Sequence, residues 1–243
     1  MAAARPVFNL NLFSNVAARD PRRNLAGFAA LSALETLRPD AAHEVRIRLF
    51  CDPNPNPDLF EEWVEAARAA LPDRRVEAVP TRGLADGHLK SLELSEGDHA
   101  LQLEHDFVLL SRHIPHDLAA LLAGMRAGGI THLRFNKRWN RPVGYDSFMT
   151  PQAVPGLPCV RVPGRSNNPH LLDLAHARRH VAPWIDRIAT KAAGIEGRVE
   201  LYAGGGHVYG PLGWPATAGH LDGRAIRWRD NLRRRVWLAR RAA

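Results

Sequence analysis

The sequence predicts an α/β protein with a doubly wound, mostly parallel sheet and helices on both faces. Two observations lead to this fold class. Over residues 1–110, short apolar segments typical of strands alternate with amphipathic segments typical of helices. The chain also has 243 residues, of which 45% are hydrophobic, so it is long enough to bury the core that such a sheet requires.

The first β-α-β unit occupies the amino-terminal part of the chain. The first strand is predicted at residues 7–15, where apolar and polar residues alternate. Asp20 and Pro21 then provide a helix start, with an acid at the N-cap and a proline at the first helical position. The helix is expected to end near Pro39, and the second strand follows at residues 44–50.

The same pattern repeats twice more. Asp58 is predicted to cap the second helix, which ends before Pro72, and residues 74–80 form the third strand. The third helix is expected at residues 87–95 and the fourth strand at residues 99–110. These alternating elements predict parallel strands whose carboxyl ends meet at one edge of the sheet.

The second half of the sequence is less regular. A helix is predicted at residues 117–128 and a strand at residues 131–139. A stretch rich in proline and glycine follows, with one short strand at residues 159–162. Residues 170–185 predict a further helix, and residues 227–241 predict a basic amphipathic helix.

Glu104, His105 and Asp106 stand in a row inside the fourth predicted strand. Side chains alternate along a strand, so Glu104 and Asp106 share one side and can offer carboxylate oxygens to one divalent cation. Such a cation would be Mg²⁺ or Mn²⁺ and would neutralise a diphosphate. The alternative is that the two carboxylates cap a helix or pair with arginines.

The order and spacing of residues 1–110 resemble those of the GT-A fold glycosyltransferases, which move a sugar from a nucleotide diphosphate to an acceptor. The segment GDHALQLEHDF resembles the strand that leads into the DxD motif of these enzymes, with EHD in place of Asp-x-Asp. The helix NLAGFAALSALETL and the following strand, which ends in CDPN, are similar to the family's first helix and second strand. The resemblance implies a single domain over residues 1–243, with a nucleotide-sugar half at residues 1–110 and an irregular acceptor half at residues 111–243.

The resemblance also implies roles for individual residues in the first half. Ser14 would lie near the nucleotide, Asp52 would contact the base or the ribose, and Lys90 would reach the phosphates. Asp52 could instead form the turn before Pro53, and Lys90 could be an ordinary solvated helix lysine. Asp106 is the residue most expected to take part in catalysis.

The metal ligand set implied by the resemblance includes a histidine from late in the chain. Glu104, Asp106 and His220 are the expected ligands, with His207 as the rival histidine. Arg224 is expected to clamp a phosphate, since a guanidinium matches phosphate geometry. The cofactors implied are therefore Mn²⁺ or Mg²⁺, with a nucleotide diphosphate sugar as the donor substrate.

The catalytic base is less evident. An inverting transferase needs a carboxylate base, but this sequence has Asn167 and Asn168 where the family carries an acidic pair. Asn168 is expected to hydrogen-bond the sugars, unless it caps the following helix, and Asp173 is a candidate base. Glu196 and Glu200 are alternative bases, and a retaining transfer without a protein base also fits.

The charge of the chain favours anionic partners. The formal net charge is +8, and 30 of the 33 basic residues are arginines. The basic aromatic stretch at residues 135–142 is expected to contact acceptor sugars, and the tail helix either contacts an anionic membrane or packs on the domain. The expected partners are a nucleotide-sugar donor and a saccharide or glycolipid acceptor.

Other classes of protein fit the sequence less well. Nothing resembles a nucleic-acid-binding motif, so no nucleic acid partner is expected. A sugar nucleotidylyltransferase of similar fold would need a glycine-rich loop after the first strand, and residues 14–24 contain no glycine. Only two cysteines occur, which favours a cytoplasmic, reducing location. The basic tail helix, where it contacts the membrane, would attach the protein peripherally to the inner face.

Overall fold

The computed structural model describes residues 5–15, 25–39, 42–163, 168–185 and 206–221. Eleven strands occur in these residues: β1 (Val7–Asn15), β2 (Glu44–Asp52), β3 (Val76–Pro80), β4 (His99–Glu104), β5 (Phe107–Leu109), β6 (His132–Arg134), β7 (Thr150–Gln152), β8 (Cys159–Val162), β9 (His170–Asp173), β10 (Gly206–Tyr209) and β11 (Ala218–His220). Five α-helices accompany them: α1 (Ala26–Leu37), α2 (Pro57–Ala69), α3 (Leu84–Leu94), α4 (Leu118–Gly128) and α5 (Leu174–His176). None of the described helices is long and apolar enough to cross a membrane.

Nine strands form one sheet in the order β3-β2-β1-β4-β9-β6-β10-β8-β7. The strands β3, β2, β1 and β4 are mutually parallel, whereas β9 and β8 run against their neighbours. The remaining two strands, β11 and β5, form a separate antiparallel ribbon. The predicted α/β class with a mostly parallel sheet is confirmed.

The two faces of the sheet carry different helices, and the alternation in β1 shows why. Phe8, Leu10 and Leu12 point into the core that α1, α2 and α4 cover. Asn11 points to the other face, where its Nδ2 donates to Ser95 Oγ at the end of α3 (2.9 Å). A second cluster packs α3 and α5 against that face.

This arrangement creates a crevice at the edge of the sheet. The connections through α1 and α2 add strands on one side of β1, and the connection through α3 crosses to the opposite face and places β4 on the other side. The strand order therefore reverses between β1 and β4. Open α/β sheets bind their ligands outside the carboxyl ends of the strands at such a reversal.

The predicted fourth strand is wrong beyond residue 104. The strand β4 ends at Glu104, and His105 and Asp106 form a turn that is held by a hydrogen bond from His105 N to Phe13 O (2.8 Å). Residues 107–109 leave the main sheet and pair with β11 instead. The strand β4 therefore ends where the chain leaves the main sheet to pair with β11, and Asp106 stays buried in the turn.

The helix predicted at residues 170–185 is also wrong at its start. Residues 170–173 form the strand β9, which is hydrogen-bonded to β4 on one side and β6 on the other. The helix begins at Leu174, and the Asp173 side chain caps it by accepting from His176 N (2.8 Å). Pairing on both edges of the strand outweighs the helical periodicity of the sequence.

The cap predicted for the second helix is wrong as well. Asn56 is the N-cap of α2, and its Oδ1 accepts from Asp58 N (3.0 Å). Asp58 therefore lies in the first turn, where its charge faces the positive end of the helix dipole. The helix start predicted at Asp20 and Pro21, and the tail helix at residues 227–241, lie outside the described residues.

The two cysteines are buried and remain free thiols. Burial, with smaller effects from Asp52 and Glu61, raises the pKa of Cys51 to about 12. Burial also raises the pKa of Cys159 to about 11. Both side chains are therefore protonated at neutral pH and act as small apolar groups in the core.

We expect His99, at the start of β4, to make the stability of the protein depend on pH. Burial lowers the pKa of His99 below its ordinary value of 6.5, although Asp173 and Asp98 act in the opposite direction. The unfolded chain then binds the proton more readily than the folded one, so the free energy of unfolding falls as the pH drops below about 6.5. Urea denaturation of the wild type and of His99→Gln at pH 7.5 and 5.5 should show a smaller loss in the variant. Equal losses in the two proteins would contradict this prediction.

Candidate active site

The carboxyl ends of β1, β2 and β4 meet at one edge of the sheet. The strand register pairs Asn15 with Asp52 and Phe13 with Glu104. Ser14, Asp52 and Glu104, which come from separate segments of the sequence, therefore line the same edge. This edge borders the crevice at which the strand order reverses.

The turn after β4 holds a pair of side chains that are far apart in the sequence. His220 Nε2 lies 2.9 Å from Asp106 Oδ2, across a sequence separation of 114 residues. The ribbon of β5 and β11 creates the pair, because it aligns His220 with Phe107. The main chain strengthens the alignment, since Leu221 N donates to Asp106 O (2.6 Å). Asp106 is buried and His220 is half-buried, so water has limited access to the pair.

The pair offers an imidazole nitrogen and carboxylate oxygens, which are donor atoms that bind divalent cations. The 2.9 Å between His220 Nε2 and Asp106 Oδ2 is the length of a hydrogen bond, so the two side chains orient each other. However, no three His, Cys, Asp or Glu side chains among the described residues are grouped as a metal site, so the structure does not gather Glu104 with this pair as the sequence predicted.

Ser14 and Asp52 both present oxygen atoms at the edge of the sheet. The Ser14 hydroxyl is buried and makes no hydrogen bond to the described residues. Asp52 Oδ1 accepts from Thr81 Oγ1 (2.9 Å) and from Gly83 N (2.6 Å), and it thereby holds the turn between β3 and α3. Asp52 Oδ2 makes no hydrogen bond to the described residues, so it is available to a ligand. A buried hydroxyl that lacks a partner is typical of a position that a ligand completes.

Lys90 is bound within the fold. Its Nζ donates to Pro80 O (2.7 Å) and to Asp86 Oδ2 (2.9 Å). These contacts tie α3 to the end of β3, which favours a structural role over the predicted contact with phosphates. The prediction that Lys90 reaches the phosphates stays a prediction.

Lys137 is a residue near the Asp106–His220 pair whose role the sequence did not reveal. Its Nζ lies 5.6 Å from the centre of the Phe107 ring, and that ring packs against His220 with 4.5 Å between ring centres. The signal that could have identified it is its position shortly after a buried strand, three residues beyond the end of β6. A single basic residue in an arginine-rich basic stretch does not stand out in the sequence alone.

Asn168 lies at the same end of the sheet as Glu104. Extending the pairing of Gln102 with His170 by two residues places Asn168 beside the end of β4. The Asn168 side chain is buried, and its Nδ2 donates to Asn136 Oδ1 (3.1 Å). The alternative that Asn168 caps a helix is wrong, because the helix begins only at Leu174.

Asp173 lies at the opposite edge of the sheet. It pairs with His99 at the start of β4, five residues before Glu104, which corresponds to roughly 17 Å along the strand. Its carboxylate caps α5 by accepting from His176 N. Both observations disfavour Asp173 as the catalytic base, and that role stays a prediction.

His207, the rival of His220, is buried on β10, three strands away from β4 in the sheet. That separation corresponds to roughly 14 Å across the sheet, which favours His220 as the ligand. The other predicted positions, Arg224, Asn167, Glu196 and Glu200, lie outside the described residues.

The fold is similar to that of solved glycosyltransferase structures. The crystal structure of S. aureus TarS 1-349 superposes with a TM-score of 0.55 at 13% identity, over 88% of this chain and 60% of that one. A TarS 1-349 structure in complex with UDP-GlcNAc gives a TM-score of 0.54 at 12% identity, over 90% and 61% of the two chains. The mannosyltransferase PcManGT from Pyrobaculum calidifontis, in complex with GDP-Man and Mn²⁺, gives 0.51 at 11% identity, over 92% and 59%.

These similarities confirm the GT-A fold that the sequence predicts. At this level of identity they concern the fold alone, and the chain spans about three fifths of the length of these proteins. No protein-family model matches the sequence, and no curated protein matches it.

Proposed function

We propose that this protein is a metal-dependent glycosyltransferase that moves a sugar from a nucleoside diphosphate sugar to an acceptor hydroxyl. The observation that carries the proposal is the Asp106–His220 pair, which lies just beyond the carboxyl end of β4 in a GT-A fold. A buried carboxylate paired with an imidazole at this edge of the sheet offers oxygen and nitrogen ligands at the place where open α/β sheets bind their ligands.

The donor would bind across the ends of three strands. The free oxygen of Asp52 and the buried hydroxyl of Ser14 offer hydrogen bonds to the nucleoside. Asp106 and His220 would hold the cation, and Glu104 stands at the adjoining strand end to support its hydration shell. When bound, the Mn²⁺ or Mg²⁺ ion supplies charge neutralisation for the diphosphate. An imidazole ligand suits Mn²⁺ better than Mg²⁺.

Lys137 and Arg224 are the basic residues that we propose for the leaving diphosphate. Lys137 lies beside Phe107 and therefore close to the cation pair, where a point charge can offset the charge that develops on the leaving group. Arg224 follows His220 by four residues in the sequence and lies outside the described residues, so its proposed role rests on the resemblance to the GT-A family alone. Asn168 and Asn136 are buried and hydrogen-bonded to each other, next to the start of β9 and the end of β6.

The acceptor would be a saccharide or a glycolipid, and we propose a role in surface polysaccharide or glycolipid assembly. The similarity to TarS and to a mannosyltransferase supports this class of reaction.

The test of the proposal is a thermal-shift panel with UDP, GDP, CDP, ADP and dTDP, each with Mn²⁺, with Mg²⁺ and with a chelator. We expect one nucleotide to raise the melting temperature only when a metal is present. A ligand at 100 times its Kd stabilises the folded state by about 2.7 kcal/mol, which is several degrees for a protein of this size.

The control for the panel is the matching nucleoside without phosphates, together with each metal alone. Neither should reproduce the full shift, because the cation site and the diphosphate act together in this proposal. If no nucleotide changes the melting temperature and a nucleic acid does, the proposed function is wrong.

A further inference from the structure

The loop after β6 carries large apolar side chains at its surface. Among residues 137–149, Trp139, Val143 and Phe148 are exposed, with 43%, 58% and 77% of their surface accessible to solvent. Leu212 is a fourth exposed apolar residue, and it lies in the turn after β10. Exposed apolar residues that cluster in this way on a protein usually mark a binding surface.

Internal hydrogen bonds join the loop and the turn. Asn140 N donates to Trp214 O (2.9 Å), and Gly213 N donates to Asn140 O (2.8 Å). The buried Asn140 side chain also donates to Tyr209 O and Gly210 O (2.9 Å each). The loop is therefore held at its centre, and the exposed side chains on each side of Asn140 belong to an ordered surface.

All the exposed charge on these two segments is positive. Arg138 and Arg141 are exposed, and Arg141 stacks on the Trp139 ring at 5.4 Å. The only acidic residue in the loop, Asp146, is buried against Arg134, and residues 206–221 contain no acid. The combination of exposed apolar side chains and cations complements an anionic lipid surface.

We propose that this patch (Arg138, Trp139, Arg141, Val143, Phe148 and Leu212, the apolar-basic patch) docks the protein on an anionic phospholipid membrane. Tryptophan favours the level of the lipid headgroups, Val143 and Phe148 would enter the boundary with the acyl chains, and the arginines would contact lipid phosphates. A neutral saccharide would account for Trp139 but not for Val143 or the cations. The patch is separate from the tail helix for which the sequence predicts membrane contact.

The patch begins next to the candidate active site. Lys137, which immediately precedes it, lies over Phe107 beside the Asp106–His220 pair. Docking through the patch would therefore bring the candidate site close to the membrane surface, where the glycolipid acceptor of the proposed function would lie. Membrane binding itself does not depend on the proposed transfer reaction.

Vesicle flotation of the full chain tests this inference. The wild type is expected to bind vesicles of phosphatidylcholine with about one third phosphatidylglycerol, more tightly at low than at high salt. Val143→Ser/Phe148→Ser should weaken that binding at least about tenfold, because two apolar side chains no longer enter the bilayer. Arg138→Gln/Arg141→Gln should weaken it by roughly fivefold per cation and reduce its salt dependence.

Leu94→Ser is the matched control. Leu94 is 41% exposed at the end of α3, away from the loop and the turn, and its removal should leave vesicle binding unchanged. Failure of the wild type to bind vesicles, or unchanged binding by Val143→Ser/Phe148→Ser, would overturn the inference. The metal-dependent nucleotide shift, measured on the same variants, reports on the proposed function separately, since none of the four substituted residues is proposed to bind the nucleotide or the cation.

Discussion

Replacing Asp106 with asparagine is expected to lower the rate of sugar transfer at least about 100-fold. The substitution keeps the shape of the side chain but removes the negative charge that faces His220 at 2.9 Å. In the function that we propose, the carboxylate is a ligand of the cation that would neutralise the leaving diphosphate, and such neutralisation stabilises a transition state by several kcal/mol. Release of the nucleoside diphosphate from the donor identified by the nucleotide panel measures the rate.

The same substitution should abolish the metal-dependent shift in melting temperature, while the melting temperature of the protein without ligand changes little. Asp173→Asn is the matched control, because asparagine caps a helix as well as aspartate does and Asp173 lies at the opposite edge of the sheet. A variant Asp106→Asn with wild-type activity, or an inactive Asp173→Asn, would show that the site has been assigned to the wrong edge.

His220→Gln extends this prediction to the pair. If Asp106 and His220 act on one cation, each single variant should lose most of the metal-dependent nucleotide binding, and the double variant should be little worse than either. If the fold-losses in binding of the two single variants multiply in the double variant, the two side chains do not share a ligand.

Replacing Asp146 with alanine is expected to reduce the free energy of unfolding by about 3–5 kcal/mol. Arg134 is fully buried in the sheet on β6, and its Nη2 lies 2.5 Å from Asp146 Oδ1. Removal of the carboxylate leaves the buried guanidinium without this counterion, which costs much more than the pair itself contributes. Denaturation in urea, followed by far-UV circular dichroism, measures the loss.

An exposed ion pair provides the control for Asp146→Ala. Glu65 and Arg68 form such a pair on α2, with exposed fractions of 62% and 42%, so Glu65→Ala should cost less than about 1 kcal/mol. The double variant Arg134→Met/Asp146→Leu should recover much of the stability, because it removes both buried charges together. A loss in Asp146→Ala no larger than that in Glu65→Ala would contradict the prediction.

Asp146 also supports the loop that carries the apolar-basic patch. Its Oδ2 lies 3.4 Å from Asn136 Nδ2, and Asn136 in turn accepts from Asn168. One buried hydrogen-bond network therefore joins Asn168, beside the end of β4, to Asp146 in the loop that carries the patch. A loss of Asp146 is expected to affect both the site and the patch, so stability is the first measurement to make on this variant.

Elements with a clear local pattern could be predicted closely from the sequence. The strand β1 and the strand β8 have the predicted bounds, β2 starts where expected, and α4 starts within one residue of its prediction. In each case the arrangement of apolar residues along the segment has the period of the element, and the element buries the face that this pattern defines. The order of strands and helices in residues 1–110 then leads to the α/β class.

Only the tertiary structure decided the elements whose partners are distant in the sequence. Residues 170–173 read as part of a helix, but they form β9 because β4 and β6 offer hydrogen bonds on both sides. The fourth strand ends at Glu104 because residues 107–109 form an antiparallel pair with β11, which lies more than one hundred residues later in the sequence. Local periodicity contains no information about such partners.

The candidate site was likewise predicted in part from the sequence and decided in part by the tertiary structure. The resemblance to the GT-A family singled out Asp106 and His220 separately, and the carboxyl ends of the strands indicated the edge at which a site should lie. Strand register determines three features of the site. These are the contact of Asp106 with His220 at 2.9 Å, the separation of Asp173 from Glu104, and the position of Lys137 over Phe107. The sequence by itself therefore determined the fold class and the residue types of the candidate site. The pairing of strands decided which of those residues meet. Hydrogen bonds between strands join segments that are far apart in the sequence, so the sequence pattern does not reveal these contacts.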